Sequence, residues 1–242
     1  MIATLSALLV GLTAPLHAQA AGDGYLFGVP DGRFSIHAGY SHAYARSDVF
    51  DDAIKFLTLT RSSFSGPSIG GEFAITVAPR LDVSLDANYS AAVRKSEDRG
   101  YLDNNNLPIE QTTSFRRAPL MANAVLYLAP RGRSIGRLAW IPARFVPWIG
   151  VGGGTTWYRF RQEGDFVDYV TLNVFSATLQ SSGWAPAVQG LGGVDVTVSP
   201  RFAFTMDARR TWARAAPSRD FRNYDGIDLS SLTGSLGFAI RL

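Results

Sequence analysis

Cysteine is absent from this 242-residue chain. That excludes disulfides and thiolate metal sites, so an exported chain of this kind must be stabilised by a core, a metal or a bilayer. Histidine is scarce, with three in all. His17 sits in the N-terminal segment, which leaves His37 and His42, too few for a zinc cluster. Lysine is nearly missing: Lys55 and Lys95 stand among 23 basic residues, the others being arginine. Beyond the N-terminal segment no stretch approaches the ~20 consecutive apolar residues of a spanning helix. No Gly-Lys-Ser/Thr phosphate loop occurs. Asp98 and the run Asp103, Asn104, Asn105, Asn106 offer oxygen ligands without the spacing of a calcium loop, and read as a turn-rich exposed loop. No cofactor and no metal site is expected.

What is present is an export signal followed by alternation. Residues 1–20 read as a signal peptide, with an apolar stretch over 3–16 and Ala18-Gln19-Ala20 matching a small-x-small cleavage pattern. Residues 21–32 form a lead-in and 33–242 the folded domain. The formal charge is +3, spread along the chain rather than clustered, and export removes the chain from nucleic acid, so no nucleic-acid partner is expected. Exposed guanidinium groups suit lipid headgroup and lipopolysaccharide phosphates instead, which they bind in bidentate fashion.

Three copies of one phrase punctuate the chain: Val77-Ala78-Pro79-Arg80-Leu81, Leu128-Ala129-Pro130-Arg131 and Val198-Ser199-Pro200-Arg201-Phe202. Around two of them, runs of about ten residues alternate strictly. Over 81–90, Leu81, Val83, Leu85, Ala87 and Tyr89 share one face, while Asp82, Ser84, Asp86, Asn88 and Ser90 share the other. Successive side chains of a strand point to opposite faces, so this is period two without an error. The same pattern occupies 69–77, 201–212 and 231–242, with 184–198 beside them. It is less regular over 33–45, 114–128 and 145–161, where Gly150, Gly152 and Gly154 fall on one face and predict a crowded interior.

The expectation is an all-β, eight-stranded antiparallel up-and-down transmembrane β-barrel. Connections at 79–80 and 199–201 are short, and the third, over 131–144, is longer and Arg-rich. The other set is long, over 46–66, 96–113, 162–182 and 213–228. Short turns on one side and long loops on the other mark a barrel in an outer membrane. Alternation alone does not say which face is inside. The charged residues decide it, because a midplane Arg facing lipid costs ~2–4 kcal/mol, whereas opposite charges within a narrow barrel can pair. The expected interior network is Glu72, Asp82, Asp86, Asp195 and Asp207 against Arg94, Arg117, Arg209 and Arg241. Aromatic residues such as Tyr40, Tyr44, Tyr89, Trp157, Trp184 and Trp212 fall near strand ends, as an interfacial girdle would.

The runs Pro147-Trp148-Ile149-Gly150-Val151-Gly152-Gly153-Gly154 and Gly190-Leu191-Gly192-Gly193-Val194-Asp195-Val196, with Met206-Asp207-Ala208-Arg209 after the Pro-Arg turn, resemble the second half of OmpW-like and general outer-membrane β-barrel families. The resemblance implies the barrel architecture over 31–242, bacterial outer-membrane localisation and a terminal strand recognised by the barrel assembly machinery. Here that strand ends Phe238-Ala239-Ile240-Arg241-Leu242, without the final aromatic residue usual in the family.

Chemistry is thin. Ser35 and His37 share a face and raise the thought of a lipid A-modifying hydrolase, but alternation turns both inward, and no catalysis is expected. The third long loop is unusually apolar. Val167, Tyr169, Leu172, Val174 and Phe175 in it extend a hairpin or line a ligand mouth, and the resemblance implies a small hydrophobic ligand there. The expected function is therefore non-enzymatic: binding or admitting small hydrophobic molecules at the extracellular end. A structural or adhesive barrel contacting lipopolysaccharide is the alternative.

Overall fold

The structure is a computed structural model and describes residues 24–103, 106–168 and 171–242. The expected leader lies outside the described residues, as do Asn104, Asn105, Tyr169 and Val170.

Eight long strands form a closed ring: β1 (Gly32–Ala43), β2 (Gly66–Ala78), β3 (Leu81–Leu102), β4 (Pro108–Tyr127), β5 (Phe145–Val167), β6 (Val174–Thr197), β7 (Phe202–Ala215) and β8 (Ser231–Arg241). Each pairs antiparallel with its sequence neighbours, and β8 pairs with β1 from Ser231↔Ala43 to Arg241↔Arg33. Closure leaves no free sheet edge through the middle of the wall. Among the described residues no helix is long and apolar enough to cross a membrane; the strands do the crossing.

Orientation follows from exposure. Asp82 and Asp86 are each 1% exposed, whereas Leu85 between them is 62% exposed. Strand β7 repeats the rule along its whole length, with Phe202, Phe204 and Met206 outward and Ala203, Thr205 and Asp207 inward. The apolar outer face continues through Ile36, Ile69, Val151 and Leu236. A soluble protein seldom shows a contiguous apolar patch beyond ~300–600 Å², so a belt that encircles the molecule belongs in hydrocarbon.

All three Pro-Arg phrases lie at one end. Pro79-Arg80 and Ser199-Pro200-Arg201 close tight connections. The third connection contains a small hairpin, Gly132–Ile135 with Ala139–Pro142, onto which Leu26–Phe27 of the lead-in adds a third strand. Buried Trp140 belongs to this flap across the turn end.

The loop end differs from expectation in three places. The segments 96–113 and 162–182 are mostly strand, because β3 and β4 continue to Leu102 and Pro108, and β5 and β6 to Val167 and Val174. Above the membrane the outer face of these hairpins meets water and the buried inner face carries polar residues such as Ser96, Gln111, Thr113 and Gln162, so apolar alternation fades while the backbone ladder continues. The segment 46–66 is no open loop. It holds a helix, α1 (Asp48–Phe56), and a 3-10 turn, Arg61–Phe64. Val49, Phe50 and Ala53 of α1 are buried, and the helix turns this apolar side into the barrel mouth.

The predicted crowding along the glycine face is present. A Cβ on Gly150 would stand 3.3 Å from the Leu191 side chain, and one on Gly152 would overlap the Asn123 amide oxygen at 2.0 Å.

Candidate functional site: a filled lumen and a parted wall

The lumen is filled in layers. Midway up, Arg209 gathers three acids: its Nε donates to Asp207 Oδ1 at 2.7 Å, its Nη2 lies 3.4 Å from Glu72 Oε2, and its Nη1 pairs with Asp86. Ser235 donates to the same Asp207 at 2.8 Å. Nearer the turn end, Arg33 Nη1 pairs with Asp195 at 2.6 Å and Arg131 Nη1 with Asp82 at 3.1 Å. Trp148 donates its indole N–H to Asp195 and Tyr127 its hydroxyl to Asp82. Each of the five predicted acids thus has an arginine within ion-pair reach, as burial of charge demands.

The predicted arginines fare less evenly. Arg209 is the hub. Arg117 is buried higher up but bonds the Leu229 carbonyl and Ser41 Oγ rather than an acid. Arg241 sits at the turn end on Thr197 Oγ1 and the Pro200 carbonyl. Arg94 keeps the inward parity of Ala92 and Ser96 and is the register partner of buried Thr113, but it is exposed at the mouth and reaches the Ser65 carbonyl at 3.5 Å rather than an acid, so it lies outside the network. Sequence reasoning missed Arg33 and Arg131. Arg33 shares a face with Ser35 and His37, so its parity was a usable signal. Arg131 reaches in from the second Pro-Arg phrase, where nothing in the pattern gives a direction.

Ser35 and His37 are 1% and 3% exposed, inside the wall. His37 Nε2 meets the Asn88 amide at 3.0 Å and lies 3.7 Å from Asp86. Two cavities, one at the turn end beside Arg33 and Trp140 and one between Arg209 and Arg117, hold about 20 Å³ each, room for about one water apiece.

Above the charges the lumen turns apolar. Phe50 of α1 stands 4.7, 5.2 and 5.5 Å, ring centre to ring centre, from Phe64, Phe115 and Phe160. Phe221, from the last loop, lies 5.2 Å from Phe160. Loop Tyr224 packs against this cluster; burial, followed by the Asp52 carboxylate beside it, pushes its phenol up to about 12. The expected mouth residues lie elsewhere. Val167, Val174 and Phe175 belong to the β5–β6 hairpin tip, with Phe166 stacked on Phe175 at 6.0 Å and Leu172 exposed. Tyr169 falls outside the described residues.

The wall itself parts at one seam. Pairing of β6 with β7 ends at Ala213↔Ala187. Beyond it, Arg214 and Ala215 pair instead with Asp228 and Ile227, while β6 keeps only β5. Pro186 suits this edge because it has no N–H to leave unpaired. Higher on the same edge, Ser218 and Asp220 accept the amides of Ser182 and Gln180. Between them lies a hollow of about 560 Å³ whose lining includes Pro186, Val188, Trp212, Arg46 and Arg214. Its inner wall, Ala187 and Ala213, belongs to the aromatic cluster.

At this height the outer surface becomes aromatic and cationic. Trp157 and Trp184 face each other in register. Arg116 lies directly opposite Arg159 across β4 and β5, an arrangement of like charges that is destabilising unless anions neutralise it.

A closed antiparallel ring with an oily belt outside and paired charges within defines a transmembrane β-barrel of the bacterial outer-membrane class. No family model matches the chain, and no curated protein matches it. Solved structures of similar fold include the outer membrane protein OprG of Pseudomonas aeruginosa, 15% identical with a TM-score of 0.48, covering 90% of this chain and 99% of that one. Neisserial surface protein A is 14% identical with a TM-score of 0.46, covering 86% and 97%. Outer membrane protein W of E. coli is 16% identical with a TM-score of 0.37, covering 88% and 99%. The class rests on the belt and the interior, not on these likenesses.

Proposed function

We propose that this outer-membrane barrel is non-conducting and non-enzymatic, and that it binds small hydrophobic molecules at its extracellular end, on the parted β6–β7 seam. The observation that carries the reading is the hollow of about 560 Å³ between Pro186, Val188 and Trp212, backed by the aromatic cluster. A mostly apolar concavity with a few polar groups at its rim is what small apolar ligands require. The filled lumen argues for binding from the side rather than conduction through the centre. Its occupant is a small hydrophobic molecule, as the apolar sequence of 167–179 also suggested, though the seam rather than the hairpin tip supplies the surface. Insertion through the barrel assembly machinery, by way of β8, belongs to the same reading.

The test is displacement of a fluorescent apolar probe from the purified barrel by long-chain alkanes and alcohols. Saturable binding that Val188→Glu abolishes, with no steady conductance in planar bilayers, is the expected result. Binding that survives Val188→Glu, or no binding of any apolar probe, overturns it. The opposition of Arg116 and Arg159 favours a second reading, a barrel whose outer surface engages lipopolysaccharide. Loss of outer-leaflet barrier function on Arg116→Glu, with probe binding intact, is its signature.

A further inference from the structure

We infer that the outer wall at the loop end of β7, β8 and β1 holds the phosphate of a membrane lipid headgroup in a clamp of Arg46, Arg210 and Arg214. The inference goes beyond the proposed function and does not rest on it: the clamp borders the seam hollow and binds the headgroup alone.

Register builds the clamp. Arg210, Trp212 and Arg214 alternate along the outward face of β7. Arg210 lies opposite Leu232 of β8, which lies opposite His42 of β1, and Tyr44 and Arg46 follow His42. The Arg210 guanidinium sits 5.2 Å from the centre of the Tyr44 ring and 5.0 Å from that of Trp212. The Arg46 guanidinium sits 5.1 Å from the same Tyr44 ring. One phenol therefore lies within cation–π reach of two guanidiniums, a contact that leaves their N–H edges free to donate. Arg46 and Arg214 both line the hollow.

All three arginines are exposed, and none has a carboxylate within ion-pair distance among the described residues. Asp228 lines the hollow and is the register partner of Arg214, but its carboxylate is taken by backbone: its Oδ2 accepts the Arg46 amide and its Oδ1 the Ser230 amide, each at 2.9 Å. Two surface arginines elsewhere pair with acids, exposed Arg61 with Asp51 at 2.6 Å and partly exposed Arg161 with Glu163 at 2.8 Å.

Height decides what neutralises the three. From Phe202 at the turn end to Arg210 the strand climbs roughly 26 Å at ~3.3 Å per residue, or roughly 20 Å along the normal for a tilt near 40°. That brings Arg210 to the upper margin of an apolar band ~25 Å tall, where lipid phosphates lie. A phosphate offers several oxygens to several guanidiniums at once, which a lone carboxylate does not.

The experiment uses the full chain, refolded in nanodiscs of neutral phosphatidylcholine and verified by heat-modifiable migration. Binding of bisphosphorylated lipid A, dephosphorylated lipid A, inorganic phosphate and a long-chain alcohol is measured by native mass spectrometry and tryptophan quenching. Bisphosphorylated lipid A is expected to bind at least about tenfold tighter than its dephosphorylated form, as loss of charge-assisted hydrogen bonds implies. The triple variant Arg46→Gln, Arg210→Gln, Arg214→Gln removes that preference, and Arg161→Gln, on β5 and paired with Glu163, leaves it. Equal binding of both lipid A forms, or an unaltered preference in the folded triple variant, overturns the clamp. Inorganic phosphate that competes as well as lipid A overturns the headgroup assignment. The long-chain alcohol separates the two readings: if it fails to bind while the phosphate preference holds, the seam reading falls and the clamp stands, and if it binds equally to wild type and triple variant without any phosphate preference, the reverse is true.

Discussion

Trp148 and Gly193 interlock on neighbouring strands: they are register partners of β5 and β6, and the indole fills the place where a side chain at position 193 would go. A Cβ on Gly193 would come within 2.7 Å of Trp148 Cζ2 and 2.4 Å of the Met206 carbonyl oxygen. The same indole donates to Asp195, so displacing it also disturbs the Arg33–Asp195 pair. Gly193→Val is expected to destabilise the barrel by ~1–3 kcal/mol, the usual range for overpacking. Urea unfolding in vesicles, followed by heat-modifiable migration, measures it. An unchanged midpoint would mean that the ring is free to move aside.

Arg209 serves three acids at once, so its loss should be felt more than the loss of any one of them. Arg209→Leu leaves Glu72, Asp86 and Asp207 facing one another in a buried layer, and breaking such a buried pair costs ~3–5 kcal/mol. Adding Asp86→Asn to Arg209→Leu should recover part of that loss, because one stranded charge is gone. A double-mutant cycle on unfolding free energies checks the coupling. Additive effects would show that Asp86 and Arg209 act independently despite their contact.

The wall was legible because lipid and lumen make opposite demands on adjacent residues. Between Leu81 and Ser90 each side chain has one acceptable environment, so alternation gives both the strand and its facing. Above Val93 that contrast ends. Lys95 and Glu97 are paired in register with Thr112 and Glu110, but water on the outside accepts any polar residue, and the strand there reads as loop. The mouth was illegible for another reason. Phe115 and Phe160 point inward, against the rule that inward residues are polar, and their partner Phe50 lies on a nine-residue helix. A helix this short is marginal alone, and its apolar side has meaning only once the strands supply Phe115 and Phe160. The clamp was hidden likewise: Arg46, Arg210 and Arg214 look like scattered surface charge until β8 joins β7 to β1.

The aromatic plug can be opened without breaking the barrel. Phe50→Ala removes the ring that touches Phe64, Phe115 and Phe160, and such truncations cost ~3–5 kcal/mol. The loss should fall on α1, whose other anchors are Val49 and Ala53, and leave the strand ladder intact. Trypsin is expected to cut after Lys55 and Arg61 much faster in the variant, while heat-modifiable migration persists. Protection of both sites in a folded Phe50→Ala barrel would show that the Arg61–Asp51 contact and the loop hydrogen bonds hold α1 without the ring.

The last loop should respond to alkali through Tyr224. Its folded-state value lies near 12, because burial first and the Asp52 carboxylate second disfavour the phenolate, whereas an unfolded tyrosine titrates near 10. A group raised on folding contributes stability that is fully present below its unfolded value and is lost as pH rises through the folded one. Docking of 216–230 on the aromatic cluster should therefore be constant up to about pH 10 and weaken between about 10 and 12. Hydrogen exchange of the Phe221 and Tyr224 amides, corrected for the intrinsic rise with pH, reads the change. Tyr224→Phe has no proton to lose, so its loop should hold its docking through that window. A wild-type loop as indifferent to alkali as the variant would mean that Asp52 and the aromatic cluster do not govern how 216–230 is held.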